Sequence, residues 1–423
     1  MNIYLIAILI LAIINILLSA KISLSILHPT RLFTLFWTAF VVLPVTLWKV
    51  DYVWDYKGLV WMELAVFFTV LGGWVAKNFG LVWNRNSVQK LSSSFDRKEE
   101  SYSWWALLGV IVIGVVSAFL SLRENGFGIG DILSIRGIIN VSSTSAVLRY
   151  TENRPTSTLH QLLSIFIYAG PLCGGFTFNF SKKFKYRILS LATMIPIVME
   201  MVFTSGKSGF IASIFLWLAG WCISYEVVNK RSPIVKTKSM ILLGLGVGCL
   251  LLILFLVMLL RTGEFSGEMI GIIYQKFWVY AFGHMIEFDA WFSMPRSLDY
   301  GLGSNTYMTF FRLLGLVSRK GGIYDVIIPE YGNVFTAFRG VIEDFGTVGG
   351  LLYCMLRGVV TQLSVNSLSK GKFYSFIPIM LVACSYFWNL YGFIVSPWVY
   401  TSYIMAICIF GLFSLVFCKK FKR

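Results

Sequence analysis

Charged residues are scarce in this chain. They make up only 13% of its 423 residues, whereas hydrophobic residues make up 57%. A soluble domain carries about twice that share of charge. Apolar runs of about 18 to 23 residues recur between short charged patches, and a helix of that length crosses the hydrocarbon of a bilayer. The composition therefore excludes coiled coils, disordered tails and cytosolic α/β enzymes, and it predicts a polytopic membrane protein.

The cysteines do not indicate a metal site or a disulfide framework. All seven cysteines fall inside or at the end of apolar runs, and none has the spacing of metal ligands. Neither a disulfide framework nor a zinc site is predicted. The first apolar run has no basic residue before it, so we interpret it as a retained span rather than a cleaved signal peptide.

Hydropathy predicts an all-α fold with about eleven transmembrane helices, because a backbone in lipid must satisfy its own hydrogen bonds. We find no linker and no internal repeat, so residues 1–423 are predicted to form a single membrane domain. The predicted spans are 2–19, 32–48, 59–76, 103–122, 158–181, 188–204, 209–228, 239–260, 345–363, 374–395 and 398–417.

Basic residues predict the orientation. With the C-terminal tail in the cytoplasm, 21 of the 36 Lys and Arg residues lie on the cytoplasmic side, 14 lie outside and Arg357 lies within a span. This bias follows the positive-inside rule and predicts an external N-terminus. The net charge of +16 is then explained by loops and anionic lipid headgroups, not by nucleic acid.

Two long segments, 123–157 and 262–344, lie on the external side in this topology. Long loops on a helical scaffold often carry function. The second loop is expected to carry short helices. Its first part, 268–291, is apolar but contains charged residues, so we expect a re-entrant or interfacial helix rather than a twelfth span.

Several external basic residues point to an anionic ligand, because Arg binds two phosphate oxygens at once. Lys207 lies in the short turn TSGKSG just before a predicted helix, whose N-terminus attracts anions. Solvation of a surface explains any single one of them equally well. The set is Arg123, Arg136, Arg149, Arg154, Lys207, Arg261, Arg312, Arg319, Lys320 and Arg339.

Acid–base candidates come from the same loops. His284 and Glu287 are spaced to share one helix face as a base and its orienting partner. Glu343 and Asp344 open a span, where helix capping is the alternative. Carboxylates beside or within spans, such as Glu63 and Glu200, are functional or paired as a rule. Aromatic residues of the outer loop, among them Trp291, Tyr324 and Phe335, are typical of sugar recognition or of packing onto the membrane.

Two segments, GLGSNTYMTFFRLLGL (301–316) and PEYGNVFTAFRGVIEDFGTVGGLL (329–352), resemble bacterial oligosaccharide repeat-unit polymerases, the Wzy-type O-antigen and capsule polymerases. The matching residues are Asn333, Val334, Phe335, Thr336, Arg339, Asp344, Phe345, Gly346 and Gly349. The turn 204–210 and the early His-Pro of LHPTRLFTLFW (27–37) are also similar to this family, although Lys207 stands where related ligases more often have Arg.

The resemblance implies a GT-C-like, all-helical transferase in the bacterial inner membrane. It would extend a glycan on undecaprenyl diphosphate at the periplasmic face, with a single lipid-linked unit as acceptor. It implies no nucleotide-sugar and no metal or other cofactor, and a chain-length regulator as a partner. Lys207, Arg261 and Arg339 would stabilise the leaving diphosphate, with Arg312, Arg136 and Asn333 as further contacts. Candidate bases are Glu343, Asp344, His284 and Glu287.

Two alternatives stay open. An O-antigen ligase would use the same donor and pass the glycan to a lipid core. A flippase or transporter for the lipid-linked unit would more often have repeated halves and charges at mid-membrane. The dissimilar halves of this chain and its long external loops favour a surface-facing enzyme.

Overall fold

The computed structural model shows a helical protein, with no strand among the residues that it describes. The described residues are 2–47, 52–82, 97–151, 157–234, 246, 248, 251–259, 262, 266–295, 300–317, 324, 327–332, 335–369 and 376–419.

The described residues form a series of α-helices. In chain order they are α1 (Ile3–Ile22), α2 (Pro29–Leu47), α3 (Lys57–Asn78), α4 (Arg97–Glu124), α5 (Ile135–Thr151), α6 (Thr158–Thr177), α7 (Phe184–Ala192), α8 (Ile195–Thr204), α9 (Lys207–Asn229), α10 (251–259), α11 (Gly267–Ser293), α12 (Met308–Leu313), α13 (Ala337–Ser369), α14 (Phe376–Tyr391) and α15 (Thr401–Lys419).

Eight segments of the described chain are long and apolar enough to cross a membrane: α1, α2, α3, α4, α6, α9, α13 and Phe184–Thr204, which combines α7 and α8. Phe376–Tyr391 and Thr401–Leu415 are shorter apolar helices. The predicted span 239–260 lies mostly outside the described residues. The polytopic helical fold is thus confirmed, and the count of eleven spans stays a prediction.

The chain divides into two compact units, and the single membrane domain stays a prediction. The first contains Met1–Gln89, Asn229–Ile234 and Trp278–Ile404. In it α3 packs against α1, α2 and, most extensively, α13, and α14 packs against α2 and α13. The centre of this unit is a cluster of large buried rings from these helices and α11: Phe33, Trp37, Trp61, Phe288, Phe338 and Trp388.

The second unit contains Lys90–Val228, Val235–Phe277 and Met405–Arg423. Here α4 packs against α6 and α8, and α5 packs against α8. The hydroxyls of Ser142 and Ser205 lie 2.7 Å apart and join α5 to the turn after α8. The predicted external loop 123–157 is therefore largely helical.

Helix α11 differs from the expected interfacial helix. It is not among the helices that can span a membrane, as predicted. However, Met285, Ile286, Glu287, Phe288 and Asp289 are all fully buried. Five consecutive buried residues cover the whole circumference of a helix, so this part of α11 is a core helix and does not lie on the membrane surface.

Close backbone contact joins α3 and α13. A Cβ built at Gly72 would lie 2.0 Å from the Met355 carbonyl oxygen, and one at Gly358 would lie 2.0 Å from the Thr69 carbonyl oxygen. Glycine is required at both positions, because any side chain would push the helices apart. Small residues at the contact are typical of helix packing in membranes.

Alanine at Gly72 is expected to destabilise the protein by about 1–3 kcal/mol, because the two backbones must separate to admit the added Cβ. The measurement is the thermal unfolding midpoint of the detergent-solubilised protein. Gly109→Ala in α4 is the matched control, since nothing lies within 4 Å of a Cβ at that position. An unchanged midpoint for Gly72→Ala would contradict the close packing of α3 on α13.

Candidate functional site

Arg339 lies in the first turn of α13, in the first unit, and only 6% of it is exposed. Its guanidinium lies 4.3 Å from the ring centroid of Phe335, 4.4 Å from that of Tyr324 and 5.1 Å from that of Trp291. Cations are attracted to the faces of aromatic rings. The three rings and the α13 backbone thus hold Arg339 in an aromatic cage.

Two carboxylates interact with the caged arginine, one through an ion pair and the other through its charge. The Arg339 Nε donates a hydrogen bond of 2.9 Å to Glu343 Oε1, one helical turn further along α13. Glu343 keeps part of its surface exposed. Glu287 of α11 is fully buried and accepts hydrogen bonds from the backbone N–H groups of Ile327 (3.1 Å) and Ile328 (2.8 Å). Its carboxylate anchors the chain at 327–328.

Burial and nearby charges shift the pKa values of two groups at the cage, Tyr324 and Glu287. Burial raises the pKa of the Tyr324 hydroxyl, and the Glu343 carboxylate raises it further, against the opposing charge of Arg339. Burial also raises the pKa of Glu287, although the N–H groups of Ile327 and Ile328 and the charge of Arg339 lower it. The Tyr324 hydroxyl therefore keeps its proton over the physiological pH range.

Asp344 has a different role from its neighbour Glu343. It is fully buried. Its Oδ1 accepts from the backbone N–H (2.9 Å) and the side-chain amide (3.1 Å) of Asn305, and its Oδ2 accepts from the N–H of Thr306 (2.6 Å). Three donors fix the position of this carboxylate. Asp344 therefore anchors the loop before α12.

A groove of about 430 Å³ begins at Asp344 and follows α13. It is made possible by Gly346, whose φ of 73° interrupts the helix and whose missing side chain leaves room for the ring of Tyr300. Leu352 is 53% exposed and Leu356 is 63% exposed, so the groove opens on the apolar face of a spanning helix. The lining residues are Tyr300, Leu302, Asp344, Phe345, Gly349, Leu352, Tyr353 and Leu356.

His284 does not form the expected base–orienter pair with Glu287. Neither of its ring nitrogens has a hydrogen-bond partner among the described residues. Its ring lies 5.0 Å from that of Phe40 and 5.5 Å from that of Phe393. Burial lowers the pKa of His284 to about 3. The imidazole is a neutral core group, because apolar surroundings disfavour its charged form.

The remaining predicted ligands are dispersed. Arg312 of α12 donates a hydrogen bond to the hydroxyl of Thr401. Lys207 begins α9 and Arg136 is exposed on α5, both in the second unit. Arg261 and Asn333 lie outside the described residues, as do Arg154, Arg319 and Lys320. Of the ten predicted site residues, Arg339, Glu343 and Glu287 come together in the first unit, with Asp344 beside them in sequence.

Asp289 is a functional anchor that the sequence did not single out. It accepts hydrogen bonds from the Tyr52 hydroxyl and from the N–H groups of Asp55, Tyr56 and Gly58. It thereby holds the start of α3 against α11. Its carboxylate was visible in the apolar segment 268–291, but its partners are more than 200 positions away, and no local pattern identifies them.

Compared with known protein families, curated proteins and solved structures, the chain has no significant match. Its membership of a family is therefore not shown, and the resemblance to Wzy-type polymerases stays a prediction.

Replacing Asp344 by Ala is expected to lower the stability of the loop before α12. Three buried donors lose their acceptor, and each unsatisfied donor costs about 1–3 kcal/mol. Limited proteolysis and the thermal unfolding midpoint measure the effect. Glu330→Ala, which removes an exposed carboxylate, is the control and should change neither. Equal behaviour of the two variants would exclude an anchoring role for Asp344.

Acid is expected to destabilise the protein through its two neutral buried histidines. The pKa of His284 and that of His28 are each lowered to about 3 by burial. Below about pH 6.5 the unfolded chain takes up protons that the folded protein does not, so stability falls as the pH falls towards 3. His284→Leu should reduce the drop in unfolding midpoint between about pH 7 and pH 5. An undiminished drop would show that His284 is accessible to protons.

Proposed function

We propose that this protein is a glycosyltransferase of the bacterial inner membrane. It polymerises oligosaccharide repeat units linked to undecaprenyl diphosphate, at the periplasmic face, by transferring the growing glycan to a lipid-linked single unit. The N-terminus is periplasmic and the C-terminus cytoplasmic in this proposal. Membrane lipid surrounds the enzyme, and a polysaccharide chain-length regulator is its expected partner.

The observation that carries the proposal is that an apolar groove and a caged ion pair lie next to each other along α13. Asp344 lines the head of the groove, and Glu343, which precedes it in the chain, is paired with Arg339. An exposed apolar face and a fixed cation thus occur on α13, and aromatic rings from α11 and from the chain before α13 surround the cation. The three features are those that an amphipathic glycolipid requires.

The parts of the proposed substrate correspond to these features. The groove suits the hydrocarbon chain, since its lining is almost entirely apolar. Arg339 suits a diphosphate, because a guanidinium binds two phosphate oxygens. Trp291, Tyr324 and Phe335 suit sugars, whose ring faces are apolar and whose hydroxyls need donors and acceptors. This correspondence favours a lipid-linked saccharide over a free one.

Glu343 is the best candidate for the general base. Asp344 and Glu287 are occupied by backbone donors, and His284 is enclosed by phenylalanine rings. Glu343 is in part exposed and is oriented by Arg339. In the proposed step the acceptor hydroxyl oxygen bonds to the anomeric carbon and its proton passes to Glu343. The bond from that carbon to the lipid diphosphate breaks, and the diphosphate leaves with the electron pair.

The diphosphate requires cations as its charge develops. Arg339 supplies one in this proposal. The roles that the resemblance implies for Lys207, Arg261, Arg312, Arg136 and Asn333 remain predictions.

Substitution at the ion pair is the test of the proposed function. Glu343→Gln is expected to reduce polymer formation by about 100-fold or more, as for loss of a general base. Arg339→Lys and Lys207→Ala are expected to abolish polymer, while all variants insert normally. The measurement is complementation of a deletion strain, with the surface glycan separated on a gel and lipid-linked intermediates analysed. Arg231→Ala and Glu330→Gln remove exposed charges of the same kinds and are the matched controls.

The phenotype of the deletion strain separates the alternatives. At most one repeat unit per anchor supports a polymerase. Long polymer accumulating on undecaprenyl diphosphate would identify a ligase, and units trapped on the cytoplasmic leaflet would identify a flippase. Wild-type ladders from Glu343→Gln and Arg339→Lys would overturn the proposed site.

A further inference from the structure

Glu63 has a carboxyl group in the interior of the first unit. It lies in the second turn of the spanning helix α3 and is fully buried. The proposed function makes no use of it. A buried charge in such a position needs a partner of opposite charge, because the loss of hydration is otherwise uncompensated.

The partners of Glu63 are neutral. The side-chain amide of Asn15 in α1 donates to Glu63 Oε2 over 2.8 Å and to the Glu63 backbone carbonyl over 3.0 Å. The Thr38 hydroxyl of α2 donates to the same Oε2 over 3.4 Å. Three helices therefore meet at one carboxyl oxygen.

Two acceptors at this point are left over. Glu63 Oε1 and Asn15 Oδ1 are both buried, and neither has a hydrogen-bond partner among the described residues. Both residues are fully buried, so water does not reach them from the surface. Both oxygens lack a donor, although the Asn15 amide and the Glu63 carboxyl group are already joined by the hydrogen bond from Asn15 Nδ2 to Glu63 Oε2.

We propose that this site binds a proton. A proton on Glu63 Oε1 makes that oxygen a donor to Asn15 Oδ1, while Asn15 Nδ2 donates to Glu63 Oε2. The acid and the amide then form a reciprocal pair with two hydrogen bonds, and one proton satisfies both unpaired acceptors. The same proton removes the buried negative charge, which explains why no cationic side chain among the described residues accompanies Glu63.

The described surroundings support this assignment. No charged side chain of the described residues contributes to the electrostatics of Glu63, which is surrounded by Asn15, Thr38 and apolar groups. The elements packed against α3 do carry titratable side chains. Lys21 is at the far end of α1. The others with described polar partners bond elsewhere: Arg31 to Ser23, Glu287 to Ile327 and Ile328, Asp289 to Tyr52, Asp55, Tyr56 and Gly58, Arg339 to Glu343, Asp344 to Asn305 and Thr306, Tyr353 to Tyr307, and Arg357 to Asn389.

The consequence is a neutral latch between α1 and α3 that depends on protonation. Loss of the proton would leave a charge facing the Asn15 carbonyl oxygen in a fully buried site. The latch is independent of the proposed glycosyl transfer, so its test does not need the enzyme's substrate.

Glutamine is a permanent mimic of the protonated acid, because its amide N–H₂ takes the place of the acid O–H. Glu63→Gln is therefore expected to unfold within about 2 °C of the wild type, whereas Glu63→Ala unfolds roughly 4 °C lower or more. At alkaline pH the midpoint of the wild type should fall further than that of Glu63→Gln. The measurements use the full chain in detergent.

Infrared difference spectroscopy tests the proton directly. The spectrum of the wild type minus that of Glu63→Gln at about pH 7 should contain the C=O band of one protonated carboxylic acid, which shifts in D₂O. Asn15→Leu should displace that band, since the acid loses its acceptor. Absence of the band would overturn the proposal. A midpoint that rises with Na⁺, but not with choline, together with an absent band would assign an alkali cation in place of the proton.

Discussion

The backbone contact between α3 and α13 is the constraint on which the first unit depends. Gly72 and Gly358 let the two helices approach until a carbonyl oxygen of each lies where the other would have a side chain. In lipid, burial of apolar surface gives little driving force between helices, so van der Waals contact at short range has to supply it. The direction of α13 beyond Gly346 follows from this contact, and with it the position of the groove.

Four carboxylates with similar sequence surroundings have separate tasks in this frame. Glu343 pairs with Arg339, whereas Asp344 anchors the loop before α12. Glu287 and Asp289 of α11 hold the chain at 327–328 and the start of α3. Each of the three carboxylates other than Glu343 accepts hydrogen bonds from at least two backbone N–H groups, which are strong donors to carboxylates. The partly exposed one is therefore the group best suited to accept a proton from a substrate.

Two ionisable groups buried inside the first unit, Arg357 and Glu63, differ in how their charge is compensated. Arg357 lies 3.4 Å from the ring centroid of Trp388 and donates to Asn389 over 2.6 Å, so its charge is met by a π-face and an amide oxygen. Among the described residues Glu63 has neutral partners, and its own Oε1 and the Asn15 Oδ1 are unpaired acceptors. A cation can use ring faces in place of a counter-ion and an anion cannot, which is why neutralisation is proposed at Glu63 while Arg357 keeps its charge.

The sequence by itself determined the membrane class, the helical fold and most of the spans, because hydrophobic length is a local property that a bilayer enforces directly. It also singled out Arg339, Glu343 and the aromatic residues of the outer loop. Tertiary structure alone decided their roles. His284 and Glu287 share a helix face by spacing, yet one lies among Phe rings and the other is held by backbone N–H groups 40 positions away. Such partners are brought together by packing between distant segments, and the periodicity of a single segment does not reveal which distant residues it will contact.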